Sequence, residues 1–166
     1  MLILGIDPGT GITGYGLISA EGNRLRAEDY GVIRTKVGEE TSQRLCVLHD
    51  SLNELIEKAK PDVVAVEQLF FNTNVTTALA VGQARGVILL TAAQAGVSVA
   101  EYTPLQVKQT VTGQGRATKQ QVGFMVKALL NLEAIPRPDD ASDALAIAIC
   151  HAHMGASYVS RAQGAK

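Results

Sequence analysis

Residues 2–20 read LILGIDPGTGITGYGLISA, and the residues just after the first glycines decide the fold. Leu2–Asp7 is a short apolar run of strand type that stops on a carboxylate. Gly9–Gly14 then spell GTGITG, a match to the G-x-G-x-x-G pattern of dinucleotide sites. That reading needs a helix directly after the glycines. The chain continues instead as GYGLISA, where Gly14 and Gly16 would each cost a helix roughly 1 kcal/mol. A tight turn between two strands is the better reading. A third strand, DYGVIRT (29–35), comes after the turn residues EGNRL (21–25). Three consecutive strands make an antiparallel meander.

Beyond the meander the pattern alternates. Leu45, Leu48, Leu52, Leu55 and Ile56 mark a helical stripe over 41–60 that stops before Pro61. DVVAVE (62–67) is a fourth strand, a long helix fits 75–95 with Gly96 placed to end it, and VSVAEY (97–102) is a fifth strand. Helices are expected near 104–111, 118–131 and 140–154. The economical solution is an α/β fold, a mixed five-stranded sheet flanked by helices on both faces. There are no repeats and no linker, so residues 1–155 read as one domain, with 156–166 expected as a flexible C-terminal tail.

Composition agrees with an ordinary globular protein: of 166 residues, 46% are hydrophobic and 19% charged. Cys46 and Cys150 form neither a disulfide framework nor a paired metal-ligand spacing, which suits a reducing compartment. The aspartate and proline in the first eight residues come too early for a secretory signal. No apolar run is long and clean enough to span a bilayer. A cytoplasmic protein with no membrane partner is expected. The net charge of −1 argues weakly against a nucleic-acid partner, yet its distribution is uneven. From Gln68 to Leu132 the only acid is Glu101, against Arg85, Lys108, Arg116, Lys119 and Lys127. Such a split either leaves a basic face, the footprint of phosphate-backbone binding, or is chance clustering on a solvated surface.

The acids raise the sharper question. Asp7 and Glu67 each end an apolar strand, where an unpaired charge is costly. If those strands are parallel neighbours, both carboxylates emerge at the edge where open α/β sheets bind ligands. RPDDASDALAIAI (137–149) supplies a third contributor, a helix apolar on nearly every side, with Asp140 and Asp143 sharing a face. Aspartates at a helix start also serve as caps and complement the helix dipole, and Asp139 is placed for that role. Capping does not need three acids, however, and explains neither Asp7 nor Glu67. Asp7, Glu67, Asp140 and Asp143 together would repel strongly without a cation. Hard ions such as Mg²⁺ take oxygen ligands and leave room for phosphate oxygens. Two of them about 4 Å apart serve phosphodiester hydrolysis.

GIDPGT by itself resembles the first phosphate loop of actin and sugar-kinase ATPases, which are usually much longer, two-domain proteins. An ATPase is therefore the second reading. A catalytically dead binding module of the same fold is a third, and it predicts lost carboxylates where all four are present.

Taken together, GIDPGTGITGYG, VEQLFF, GQARGV, QVKQTVTGQGRATK and DDASDALAIAI resemble the RuvC family of bacterial Holliday junction resolvases, from the first strand to about His153. The resemblance implies a ribonuclease H-like fold and a Mg²⁺-dependent homodimeric endonuclease, with two ions per active site and Mn²⁺ able to substitute. It implies paired symmetric nicks in four-way junction DNA during recombination and repair, alongside the RuvA–RuvB branch-migration complex. The family's four catalytic acids fall on Asp7, Glu67, Asp140 and Asp143; the Asp-x-x-Asp spacing before ALAIAI selects Asp140 over Asp139. Lys108 and Lys119 match lysines near the scissile phosphate, Lys119 the stronger candidate for stabilising transferring charge, and Arg116 adds a phosphate contact. Phe70 matches a ring that stacks at the junction centre, with Phe71 packing inward; the reverse assignment stays open, as does a core role for both. Gly82 and Gly86 form a small-x-x-x-small pair that serves either packing on the sheet or a dimer built on this helix. His151 and His153 point in different directions and receive no role.

Overall fold

The computed structural model describes residues 1–68 and 75–163, with side chains placed except at 75–77 and 156–163. Five strands form one sheet in the order β3-β2-β1-β4-β5. β1 (Leu2–Asp7), β2 (Ile12–Glu21) and β3 (Arg24–Arg34) are the antiparallel meander, turned between β2 and β3 at Gly22 with φ +58°. β4 (Val63–Glu67) lies parallel to β1, and β5 (Ser98–Tyr102) parallel to β4. α1 (Thr41–Ala59) leads from β3 to β4, and α2 (Val75–Gln94) from β4 to β5. The chain then closes with α3 (Pro104–Thr112), α4 (Lys119–Leu129) and α5 (Asp139–Gln163).

Strand alternation sorts the core into two layers. Leu4, Ile6, Val64 and Val66 pack against Leu48, Leu52 and Ile56 of α1 and Ala84, Ile88 and Ala92 of α2. Ile3, Val63 and Ala65 face the other way, onto Val107 of α3, Val122 and Val126 of α4 and the apolar run Leu145–Cys150 of α5. Asp7 and Glu67 continue the second parity, so both carboxylates emerge on the α5 side.

Glycines let α5 lie directly on the strands. A Cβ on Gly5 would overlap the Ala144 carbonyl oxygen, one on Gly14 the Asp140 carbonyl oxygen, and one on Gly16 would come within 2.8 Å of the Leu145 backbone nitrogen. Gly9 serves the turn itself, where a Cβ would meet the Ile12 carbonyl. The GTGITGYG stretch is thus both a turn and half of a helix seat.

The expected elements are present, with two differences. α5 runs on to Gln163, past the helix end expected at residue 154; the side chains of 156–163 and residues 164–166 lie outside the described part. Asp139, expected as the cap of α5, is its first helical residue, and its carboxylate pairs with Arg137. Within the basic run between 68 and 132, Arg85 of α2 is paired with Glu101 of β5. No described helix is long and apolar enough to cross a membrane.

Candidate active site

The site forms where β1 and β4 end beside the start of α5. Register pairs Ile6 with Val66 in parallel, which carries Asp7 and Glu67 out at the same edge. On the far side of β4, Glu67 is aligned with Tyr102, the last residue of β5, whose carbonyl accepts the Gln68 N–H at 2.7 Å. α5 brings Asp140 and Asp143 over this edge in its first turns, held at the height the glycine seats permit.

Two lysines arrive on helices fixed by capping boxes. Thr118 accepts from the Gln121 N–H while the Gln121 side chain accepts the Thr118 N–H, so Lys119 is pinned as the first residue of α4. Its Nζ donates to Asp143 Oδ2 at 2.9 Å. Thr103 and Gln106 make the same box at α3, one turn before Lys108. Asp7, Glu67, Asp143, Lys108 and Lys119 all line one cleft of about 280 Å³, walled on its apolar side by Val107, Val122 and Ile147. Asp140 does not line this cleft but acts on Asp7 through space.

Electrostatics mark Asp7 as the strained member. Its carboxyl is pushed up to about 8, first by burial, then by the charges of Asp143, Glu67 and Asp140, with Lys119 opposing. Glu67 is also raised, by burial and then Asp143, against the pull of Lys119 and Lys108. The hydrogen bond to Asp143 and that residue's charge raise Lys119, holding it protonated.

Among the described residues no three His, Cys, Asp or Glu side chains are already drawn together at ligating distance. The donor set nonetheless fits a hard divalent cation: oxygen ligands only, from three elements, around a carboxyl whose ionisation the fold opposes. A cation at this edge would favour the charged form of every acid there.

Other predicted positions fall elsewhere. Arg116 is exposed in the α3–α4 connection and does not line the cleft. Phe70 and Phe71 lie outside the described residues. His151 packs edge-on to Tyr102, with its Nδ1 2.7 Å from the tyrosine hydroxyl, and burial lowers its pKa. The seating glycines Gly5, Gly14 and Gly16 carry a functional load that sequence reasoning missed. The sequence holds only a partial signal, Gly14 and Gly16 alternating in β2 and Gly5 in β1, and the helix they answer to is distant in the chain.

Comparison with known proteins adds an independent line. The family model described as crossover junction endodeoxyribonuclease RuvC matches residues 3–151. The crossover junction endodeoxyribonuclease of Moorella thermoacetica is 62% identical over 152 residues, covering 92% of this chain and 91% of that protein. That of Desulfitobacterium hafniense is 61% identical over 153 residues, 92% of this chain and 93% of its own length. The Thermus thermophilus RuvC structure in complex with Holliday junction substrate superposes with a TM-score of 0.87 at 36% identity, covering 95% of this chain and 96% of that one. A yeast mitochondrial Holliday junction resolvase, 16% identical with a TM-score of 0.66, shares the fold.

Proposed function

This chain belongs to the RuvC family of crossover junction endodeoxyribonucleases, hydrolases that resolve Holliday junctions in recombination and repair, and from that premise we propose how its own residues divide the work. One observation carries the assignment: carboxylates from β1, β4 and α5 and lysines from α3 and α4 converge on one cleft at one sheet edge. That is the equipment of phosphodiester hydrolysis rather than of an ATPase.

Asp7, Glu67, Asp140 and Asp143 hold the divalent metal on which the family depends, Mg²⁺ in this reading, two ions per site, with Mn²⁺ as a substitute. Metal held there supplies Lewis-acid stabilisation for charge developing at the scissile phosphate. Asp7 and Glu67 form the floor and fix the depth at which the phosphate is met. Lys119, protonated and exposed at the first turn of α4, donates to a phosphate oxygen as negative charge builds. Lys108 faces the same space and orients the strand. Val107, Val122 and Ile147 keep that side of the cleft dry and strengthen these charge interactions. Arg116 contacts a phosphate outside the cleft, and Phe70 stacks at the junction centre.

The working unit is a homodimer. Leu79, Gly82, Gly86 and Leu90 fall on one stripe of α2 at helical spacing. Leu79 is 63% and Leu90 55% exposed, and a Cβ at Gly86 would meet nothing. A two-fold protein matches the two-fold symmetry of a four-way junction and delivers its nicks in pairs. The RuvA–RuvB complex is the partner that presents the junction, in the cytoplasm.

The decisive experiment compares Mg²⁺-dependent cleavage of a mobile four-way junction with that of a linear duplex of matching sequence, wild type beside Glu67→Gln. Symmetric nicks in the junction alone, lost in the variant while binding persists, are expected. Equal cleavage of the duplex, or none with any divalent ion, would overturn the reading.

A further inference from the structure

The glycine turn after Asp7 carries a cation that the reaction as described does not use. Arg44, near the start of α1, donates through Nε to the Thr35 hydroxyl at 2.9 Å. That hydroxyl donates to the Thr10 carbonyl at 2.6 Å, and the Thr35 N–H donates to the Gly11 carbonyl at 3.1 Å. Thr13 closes the turn from within, its hydroxyl donating to the Gly9 carbonyl at 2.6 Å. A Cβ on Gly11 would stand 3.3 Å from Arg44 Nη2, so the guanidinium lies across bare glycine backbone.

What this network lacks is an acid. Among the described residues no Asp or Glu lies within salt-bridge distance of Arg44, whereas nearby Lys36 is taken by Glu39 at 3.7 Å. A half-buried guanidinium remains charged at any ordinary pH and presents a planar fork suited to phosphate. Thr35 engages only Nε, which leaves both terminal nitrogens for a ligand.

Its place gives that ligand an identity. The braced turn joins directly onto Asp7, but α1 packs on the sheet face opposite α5. The acids therefore lie between Arg44 on one side and Lys108 and Lys119 on the other. Resting on the resolvase reading, we propose that Arg44 grips a backbone phosphate of the junction that is not the one cleaved, fixing how the strand crosses the carboxylates.

The test is junction binding by fluorescence anisotropy in EDTA, measured over a salt series for wild type, Arg44→Gln and Arg44→Lys, with melting curves for all three. One lost phosphate contact lowers the slope of log affinity against log salt by about 0.9. Arg44→Gln should show that drop and bind several-fold more weakly at low salt. Arg44→Lys should keep the wild-type slope although it loses the Thr35 bond. An unchanged slope in Arg44→Gln, or equal weakening in both variants, would reduce Arg44 to a loop brace and overturn the proposal. A wild type that fails to bind the junction at all would sink the resolvase reading and this inference with it.

Discussion

Asp7 sits where two demands collide: it ends a strand whose Ile3, Leu4 and Ile6 are fully buried, and it faces three other acids. Mutual repulsion is the cause a sequence suggests, yet depth is the larger one. The consequence for stability has a definite sign. Asp7 is protonated in the metal-free folded state up to about pH 8, whereas an unfolded aspartate releases its proton near 3.8. Between those values the unfolded chain binds fewer protons, so this group's contribution to stability falls as pH rises and levels off above 8. We expect Asp7→Asn to abolish cleavage and yet raise the metal-free melting temperature at pH 8, by a stability gain on the order of a few kcal/mol. The gain should vanish near pH 4, and thermal melts in EDTA across that range will show it. Asp7 and Glu67 were legible because an acid ending an apolar run violates a local rule. Lys119 came only with the family resemblance: within α4 nothing local separates it from Lys127. What distinguishes it is the Thr118 capping box and the proximity of Asp143 across the cleft.

At the scale of elements, the meander and the parallel additions could be read from period-two runs and turn residues, and counting along the strands gives the parity that puts Asp7 and Glu67 on one face. The seat of α5 could not be read in the same way. Gly5, Gly14 and Gly16 answer to atoms of Asp140, Ala144 and Leu145, more than a hundred residues away in the chain, and a local reading therefore assigns Gly14 and Gly16 to turn and strand alone. Asp139 shows the same limit, since its partner Arg137 is set by how the preceding loop approaches the helix. A methyl at Gly14 would meet backbone, which cannot rotate aside. Gly14→Ala should therefore cost about 1–3 kcal/mol or more in urea unfolding. Because the displaced atom belongs to Asp140, metal-dependent nicking should fall further than the stability loss explains. Full activity in a destabilised Gly14→Ala protein would show that the height of α5 is not critical.

At the scale of the whole molecule, one ion pair bears on the outer surface of α2. Arg85 is neutralised by Glu101, which withdraws it from any basic face and leaves the outer stripe of α2 apolar. Leu90→Glu places a charge at the C-terminal end of that stripe. On the proposed homodimer it should shift the protein to monomer in light scattering, with dimer affinity down at least tenfold, and should convert paired nicks into single ones. An unaltered dimer would move the interface elsewhere. The keyed fit of α5 against three bare strand positions has one more consequence. A helix seated that closely has no room to sink or slide at the end that carries Asp140 and Asp143, so those two acids are held at one height over Asp7. On the resolvase reading the substrate then does the adapting: branched DNA, whose strands part at its crossover, would bend to present one of them at the depth of Asp7, and an intact duplex would spend its own stiffness to do so.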